Sequence, residues 1–274
     1  MLLTYPLLSR KPRIFRKLTG LTLEEFSELI KKVDVSIKEA FGYMGRPRVL
    51  SLTEDKVTLL LIYYRTYVSH EFLGYCVGLD NSNVSRLFKR LEPLMAKKIH
   101  ITKDRTLTEE KVAELLLDVT EQPIQRPKRA KPRKTFYSGK KKRHTQKVEM
   151  TMTREGCITN ISKSHPGRRH DFALHKLETP LPSGAVKYAD LGYQGLSALT
   201  ANVHLPFKKP KGESLTATQK AYNRAHSKIR IAIEHKFAEL KKFRILGEVY
   251  RNFRRKHHLR FNIIAGIINF QCGF

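Results

Sequence analysis

The chain has 274 residues, and its 53 Lys and Arg residues against 25 Asp and Glu residues give a formal net charge of +28. A charge of this size predicts a polyanionic partner, and a hydrophobic content of 41% allows a sizeable core in one or two domains. Three scattered cysteines without a CxxC pair argue against a disulfide framework or a cysteine zinc site, and the longest apolar runs are too short to span a bilayer. We therefore expect a reduced, cytoplasmic protein without a membrane partner.

The first 40 residues contain one clear helix. Thr22 can cap it, and Glu25 stands three residues later, which is the spacing of a capping box. The apolar face of this helix consists of Phe26, Leu29, Ile30 and Val33. A basic segment with two glycines and a proline, residues 42–48, then interrupts the pattern. It is either a linker or a loop that contacts phosphate.

Residues 50–98 have the spacing of a helix-turn-helix. Helical patterns cover residues 53–65 and 69–77, a GLD turn follows at residues 78–80, and a last helix starts at Asn81 or Ser82 and runs to Pro93. Ser69 is the expected cap of the middle helix, and its expected packing residues are Phe72, Leu73 and Cys76.

The last of these helices is the candidate recognition helix. In a helix-turn-helix it lies in the major groove, where short polar side chains suit base edges and cations suit phosphates. Its exposed positions are expected to be Asn81, Ser82, Asn83, Ser85, Arg86, Lys89 and Arg90. We expect DNA contacts from Asn83, Arg86, Lys89 and Arg90. The alternative is a three-helix packing module that does not contact DNA.

The next segment combines an apolar run with a dense basic stretch. The run VAELLLDVT predicts a buried strand that ends at Asp118, and Pro123 and Pro127 then forbid regular structure. Basic residues crowd residues 126–147, but Phe136, Tyr137 and a glycine turn interrupt them, which predicts an ordered basic hairpin against a nucleic-acid backbone. The expected DNA contacts are Lys140, Lys141, Lys142 and Arg143. The alternative is a solvated or disordered charged face.

The remainder alternates short strands with helices. Residues 148–164 predict two strands joined at residues 154–156, and a short helix is expected from Asp171 to Leu177. Residues 185–195 read as a strand running into a turn, with Asp190 at the strand end, and residues 203–210 as another short strand. A long helix is expected at residues 221–243, capped near Thr216 or Thr218, and an apolar helix at residues 259–270.

The long helix carries two neighbouring stripes. Ile229, Ile233, Phe237 and Leu240 form a stripe with core-facing spacing. Arg230, Glu234 and Lys241 form a second stripe within about a quarter turn of it, so Glu234 lies at the edge of a buried face. Arg230 and Lys241 are about 16 Å apart along the axis, so we expect them to flank Glu234 and hold DNA. The alternative is a surface ion pair between Arg230 and Glu234.

Three carboxylates, Asp118, Asp190 and Glu234, stand at strand ends or on the facing helix. Such positions can converge on one point, and carboxylates without a His or Cys cluster select Mg²⁺ or Mn²⁺ over zinc. Two such ions can activate a water or a 3′-hydroxyl for in-line displacement. Each Asp could instead be a turn former or a helix cap, and His170 with Asp171 offers a hydrolytic alternative.

An ordered series of motifs resembles the DDE-type insertion-sequence transposases, of the insertion-sequence-five group related to Harbinger transposases. The motifs are DVTEQPIQRP (residues 118–127), YSGKKKRHTQK (137–147), GRRHDF (167–172), DLGYQG (190–195) and the spacing Arg230-x3-Glu234-x6-Lys241. The segment FRKLTGLTLEEF (15–26) and the helix-turn-helix resemble the DNA-binding part of the same group. One position departs from the pattern, since Ser227 stands where related elements often have a tyrosine.

The resemblance implies an α/β fold with an RNase H-like catalytic domain, a mixed five-stranded sheet with helices, preceded by an all-α helix-turn-helix region. It implies two divalent metal ions at Asp118, Asp190 and Glu234, with Arg230 and Lys241 matching the basic residues around the glutamate. The expected layout is an N-terminal helical region with a basic linker (1–48), a helix-turn-helix domain (49–105) and a catalytic domain (106–274).

The first functional hypothesis is a transposase that binds the ends of its insertion sequence and performs cleavage and strand transfer. Its expected partners are double-stranded DNA and further copies of itself, with no small-molecule substrate. A non-catalytic helix-turn-helix regulator is the second hypothesis, but it leaves about 150 further residues with strand-end acids unexplained. A divalent-metal endonuclease without transposition is the third.

Overall fold

The structure is a computed structural model that describes residues 2–42, 49–99, 101, 113–178 and 180–273. The expectations for the loop at residues 43–48 and for a domain boundary at residues 105 and 106 fall outside these ranges.

The helices are α1 (Tyr5–Leu8), α2 (Pro12–Thr19), α3 (Leu23–Phe41), α4 (Thr53–Thr66), α5 (His70–Val77), α6 (Asn81–Lys98), α7 (Ala130–Phe136), α8 (Asp171–His175), α9 (Ala217–Lys241), α10 (Arg244–Gly247) and α11 (His257–Gln271). The strands are β1 (Glu114–Pro123), β2 (Tyr137–Ser138), β3 (Arg143–Thr153), β4 (Ile158–Ile161), β5 (His165–Pro166), β6 (Val186–Tyr188) and β7 (Val203–His204). No helix of the described ranges is long and apolar enough to cross a bilayer.

The predicted capping box at the start of α3 is confirmed. The Thr22 hydroxyl accepts a hydrogen bond from the Glu25 amide at 3.2 Å, and the Glu25 carboxylate accepts one from the Thr22 amide at 2.7 Å. The predicted apolar face of α3 is buried. Two short helices, α1 and α2, precede it; each has a proline in its first turn, where the missing amide hydrogen costs nothing.

The helix-turn-helix is confirmed as α5 and α6, with α4 packed beside them. The Ser69 hydroxyl caps α5 by accepting from the Phe72 amide at 3.2 Å. A Cβ on Gly74 would stand 2.2 Å from the Leu79 carbonyl oxygen, so only glycine allows the turn to pass this close to α5. Helix α6 then presents all seven of its predicted exposed positions to solvent.

Two details of the helix-turn-helix prediction are wrong. Phe72 does not pack, because the buried side of α5 is formed by Leu73, Cys76 and Val77 and leaves the Phe72 side chain 53% exposed. Helix α6 does not end at Pro93 but continues to Lys98. Buried contacts on both sides of the proline hold the helix together and offset the loss of one backbone hydrogen bond.

A buried ion cluster joins α6 to the C-terminal helix α11. Glu92 is fully buried, and its carboxylate accepts hydrogen bonds from Arg260 Nε at 2.6 Å and Lys256 Nζ at 2.8 Å. The Tyr64 hydroxyl lies 3.4 Å from the same carboxylate, and Arg260 also donates to the Tyr250 hydroxyl at 3.1 Å. One apolar core runs from Leu8 through the helix-turn-helix to Ile268, so the helix-turn-helix and the sheet pack against each other.

The sheet has five positions and mixed direction, which is the RNase H-like arrangement expected. Strand β1 is antiparallel to β3 on one side and parallel to β6 on the other, and β6 is parallel to β7. The short strands β2, β5 and β4 follow one another along the outer edge of β3. Helices α9 and α11 cover one face of the sheet, and α8 with two 3₁₀ turns covers the other.

The basic stretch is ordered, as expected, but a hairpin is only part of it. Strands β2 and β3 form the hairpin, with a turn at residues 139–142. Helix α7 precedes the hairpin and was not predicted, because Pro123 and Pro127 before it and the repulsion among its basic side chains argue against a helix here. Strand β1 also differs from its prediction, because antiparallel pairing with β3 extends it to Pro123 and places Asp118 in its middle.

Candidate active site

Asp118 and Asp190 lie side by side at one level of the sheet. In the parallel ladder between β1 and β6, Leu116 pairs with Tyr188; Asp118 lies two residues further along β1, and Asp190 lies two residues beyond the end of β6. Because side chains alternate between faces, both aspartates continue the face that carries Leu116 and Tyr188. Asp118 thus marks the end of the parallel ladder rather than the end of its strand.

A third carboxylate, Asp171, lies beside Asp190. The Asp190 carboxylate caps a 3₁₀ turn by accepting from the Gly192 amide at 2.8 Å. A Cβ on Gly192 would stand 2.9 Å from the Asp190 carboxylate and 2.7 Å from that of Asp171, so glycine leaves room for both acids. Lys147 Nζ holds the other oxygen of Asp171 at 2.9 Å. The motif GRRHDF contains Asp171, but nothing in the sequence indicated that Asp171 lies beside Asp190, which is 19 residues later.

The environment of Asp118 disfavours its negative charge. Burial raises the pKa of the Asp118 carboxyl to about 6, and the charges of Asp190 and Asp171 act in the same direction. Arg230 opposes them, with its Nη2 atom 3.1 Å from the Asp118 carboxylate. Since the folded-state pKa is raised, ionised Asp118 destabilises the fold at neutral pH, and a cation bound there would offset that cost. The geometry therefore favours a positively charged ligand.

Glu234 has a more exposed environment than Asp118. It is exposed on α9, one helical turn beyond Arg230, and has no ion-pair or hydrogen-bond partner among the described residues. The stripe beside it is confirmed as core, because Ile233, Phe237 and Leu240 are buried. Lys241 lies near the aspartates, since Asp118 influences its pKa; burial and the charge of Lys141 lower that pKa. The structure thus brings Asp118, Asp171 and Asp190 together and places Arg230 and Lys241 near Asp118, whereas the role of Glu234 as a third metal ligand stays a prediction.

Comparison with known proteins places the chain in a family. A family model described as DDE superfamily endonuclease matches residues 117–272, and one described as helix-turn-helix of DDE superfamily endonuclease matches residues 49–100. The chain belongs to the DDE superfamily endonucleases. A relative from Microchaete diplosiphon named "Probable transposase for insertion sequence element IS702" is 34% identical over 95% of both chains. A relative from Streptomyces albus G, named as a transposase for insertion sequence element IS112, is 25% identical over 94% of this chain and 91% of its own. No solved structure matches.

DDE superfamily endonucleases use divalent metals, and the acids of this endonuclease fit such an ion chemically. The carboxylates of Asp118, Asp171 and Asp190 lie near one another, and carboxylate oxygens suit hard divalent cations. Among the described residues, no three His, Cys, Asp or Glu side chains surround one point closely enough to hold a metal ion. Asp118 and Asp190 would therefore supply part of the coordination, with water or DNA phosphate oxygens completing it, as Mg²⁺ commonly allows.

A buried hydrogen-bond network around Glu149 holds in place the segments that carry Asp171 and Asp190. The Glu149 carboxylate on β3 is 1% exposed and lies 3.0 Å from His175 Nδ1 on α8. It also accepts a hydrogen bond from the Tyr193 hydroxyl at 2.9 Å. Asp171 begins α8, and Asp190 precedes the turn that ends at Tyr193, so Glu149 links the two acid-bearing segments. Sequence reasoning missed Glu149, because the predicted strands at residues 148–164 gave no sign that α8 and Tyr193 would cover this side chain.

Replacing Tyr193 with Phe is expected to reduce the free energy of unfolding by about 1–3 kcal/mol, because the buried Glu149 carboxylate loses a donor. Cleavage by the endonuclease should also slow, since the Asp190 turn loses an anchor. Urea denaturation and a cleavage assay measure the two effects. Tyr222→Phe is the matched control, because its hydroxyl is part-exposed and 3.3 Å from His204. Equal behaviour of the two variants in both assays would contradict the role of Glu149.

The candidate DNA contacts on α6 and in the basic hairpin are exposed, but one of them, Arg90, also packs against another helix. Asn83 and Lys89 face solvent on α6, and Arg86 donates to the Asn83 side chain at 2.9 Å. Arg90 instead contacts α3: its Nη2 atom donates to the Ala40 carbonyl oxygen at 2.5 Å, and its guanidinium stacks over Phe41. Arg90 thus has a packing function that the sequence did not indicate. Lys140, Lys141 and Lys142 in the hairpin turn and Arg143 at the start of β3 are all exposed.

Proposed function

We propose that this endonuclease is a transposase that binds the ends of its insertion sequence, cleaves them and joins them to target DNA. The observation that carries the proposal is the pair Asp118 and Asp190, on β1 and just after the parallel strand β6, where burial and mutual repulsion disfavour negative charge. The pair occurs in a chain of net charge +28 that also has a helix-turn-helix. Both named relatives cover more than nine-tenths of this chain, so the match extends over the helix-turn-helix and the acids alike.

In this proposal the protein positions the DNA, and its carboxylates bind the metal ions that catalyse both cleavage and joining by phosphoryl transfer. Asp118, Asp190 and Glu234 would hold two Mg²⁺ or Mn²⁺ ions, the number that the family resemblance implies. These ions would activate a water or a 3′-hydroxyl and stabilise the leaving oxygen. Lys241 and the nearby Lys141 hold the DNA backbone beside the acids. Arg230 neutralises Asp118 until DNA is bound.

The proposed assembly contains several copies of the chain, because joining two element ends to a target requires both ends to be held at once. Its place of action is the cytoplasm, where bacterial chromosomal DNA lies. The expected DNA partners are the double-stranded ends and the double-stranded target. The high positive charge supports both contacts through phosphate neutralisation.

The experiment that tests the proposal supplies purified protein with end DNA, a target plasmid and Mg²⁺ or Mn²⁺. We expect nicked ends and, with pre-cleaved ends, products joined to the plasmid. Fragments without joined products would indicate an endonuclease that does not transpose. Binding without any nick would indicate a non-catalytic regulator, and either result would overturn the proposal.

Replacing Arg86 or Lys89 with Ala is expected to weaken binding to end DNA, because both side chains are exposed on the proposed recognition helix. If each contacts one phosphate, the slope of log affinity against log salt should fall by about one unit. Electrophoretic mobility shifts at several salt concentrations measure this. Lys97→Ala removes the same charge from the last turn of α6 and is the control. Equal losses in all three variants would mean that α6 is not the recognition helix.

A further inference from the structure

A groove with only basic, aromatic and glycine residues lies between the basic stretch and the loop before α8. We call it the basic groove; it has a volume of about 750 Å³ and is lined by Arg126, Arg133, Lys134, Tyr137, Gly139, His144 and Arg168. No acidic side chain of the described residues lines it. Its volume is within the roughly 300–1,000 Å³ of typical ligand sites. Four fixed cations in one open groove are costly to hold together, and an anionic ligand would relieve their repulsion.

Tyr137 gives the groove an open aromatic surface. Its side chain is 42% exposed, although tyrosine rings that serve a core are usually buried. The His144 ring meets it edge-on, with ring centroids 5.6 Å apart and planes at 72°, which orients the tyrosine. Tyr137 and His144 are also paired partners in the β2–β3 ladder. The ring is therefore held in position and still accessible from the groove.

The walls of the groove are tied to the rest of the fold. The Arg254 guanidinium stacks over Phe136 at 4.6 Å, which anchors the end of α7. The Arg168 amide donates to the Thr135 carbonyl oxygen at 3.3 Å, which joins the loop to α7. A site built on such anchored segments needs little reordering when a ligand binds, so less binding energy is lost.

The groove is continuous with the acids through one loop. Arg168 lines the groove, the next residue, Arg169, accepts a hydrogen bond from Lys147 through its carbonyl oxygen at 2.9 Å, and the same ammonium binds Asp171. The groove and the acid group are therefore neighbours joined by the segment that runs from Arg168 to Asp171.

We propose that the basic groove binds an unpaired stretch of a DNA strand, with one base stacked on Tyr137 and the phosphates held by the surrounding arginines and lysine. Cations combined with an exposed aromatic ring are typical of single-strand binding, because bases stack on the ring while the backbone follows the charge. A duplex offers phosphates but no free base faces, so duplex binding alone gives Tyr137 no partner. The inference rests on the proposed function only in taking DNA as the ligand.

The test measures DNA binding in EDTA, so neither metal nor cleavage enters the result. Two DNA probes share one duplex sequence: one has flush ends, and the other carries a short unpaired overhang with the fluorescent base 2-aminopurine. We expect wild type to bind the overhang probe more tightly and to quench its fluorescence. Tyr137→Ala should lose about tenfold or more in affinity for the overhang probe and leave flush-end affinity unchanged, whereas Tyr137→Phe keeps the preference.

Arg133→Ala and Lys131→Ala form a matched pair, because both remove one cation from α7 but only Arg133 lines the groove. Arg133→Ala should weaken overhang binding more than Lys131→Ala does. Wild type that binds both probes equally overturns the proposal, as does a Tyr137→Ala variant that loses both probes equally. Intact overhang preference without cleavage activity would overturn the proposed function and leave this groove assignment standing; cleavage without overhang preference would do the reverse.

Discussion

Asn in place of Asp118 or Asp190 is expected to slow metal-dependent cleavage of end DNA by about a thousandfold or more. Each substitution keeps the shape of the side chain but removes one of the charges that a divalent cation would neutralise, and that interaction is worth several kcal/mol in the transition state. DNA binding should persist, because the proposed recognition helix α6 lies outside this site. Single-turnover cleavage and mobility shifts measure the two properties separately.

Glu155→Gln is the control for these variants. It removes a carboxylate from the exposed turn between β3 and β4, on the same sheet but outside the acid group, and should leave cleavage unchanged. Wild-type cleavage by Asp118→Asn or Asp190→Asn would overturn the assignment of that residue. Glu234→Gln tests the third proposed ligand in the same way, and activity at the wild-type level would remove Glu234 from the site.

Replacing Glu92 with Ala is expected to lower the free energy of unfolding by about 3–5 kcal/mol, the typical cost of leaving a buried ionic partner uncompensated. Arg260 is buried and receives its carboxylate contact from Glu92 at 2.6 Å, so the variant strands a guanidinium in the core. Because the cluster joins α6 to α11, DNA binding should be lost over the same range of urea concentration as the fold. Urea denaturation followed by circular dichroism and by DNA binding measures both.

Glu248→Ala provides the matched control for Glu92. Its carboxylate pairs with Arg244 at 2.6 Å, but both side chains are well exposed, and such pairs contribute about 0–1 kcal/mol. A Glu92→Ala variant that is as stable as Glu248→Ala would show that the buried ion cluster does not stabilise the packing of α6 against α11.

Features with local causes could be predicted from the sequence. The capping box at Thr22, the Ser69 cap and the exposed face of α6 depend on residues three or four apart, and all three predictions are confirmed. The series of motifs also led to the family and to a mixed sheet with helices. Of the two predicted caps of the long helix, Thr216 and Thr218, the structure shows that Thr216 is the N-cap of α9.

Features with tertiary causes could not be predicted in this way. Asp118 lies inside β1 because pairing with β3 lengthens the strand, and no local signal marks where a ladder continues. Asp171 and Glu149 join the site only when α8 and the 3₁₀ turn cover one face of the sheet. Arg230 was expected to hold DNA, but the packing of α9 on the sheet brings it against Asp118. Its contribution to DNA binding stays a prediction.

The central claim is that Asp118 and Asp190 bind a divalent cation together when DNA is present. Its most direct test is the titration of Mn²⁺ into the complex of the protein with end DNA, followed by electron paramagnetic resonance of the free ion. The account predicts that wild type binds Mn²⁺ and that Asp118→Asn and Asp190→Asn each bind it at least about tenfold more weakly, as loss of a charged ligand implies. Equal Mn²⁺ binding by wild type and both variants would contradict it.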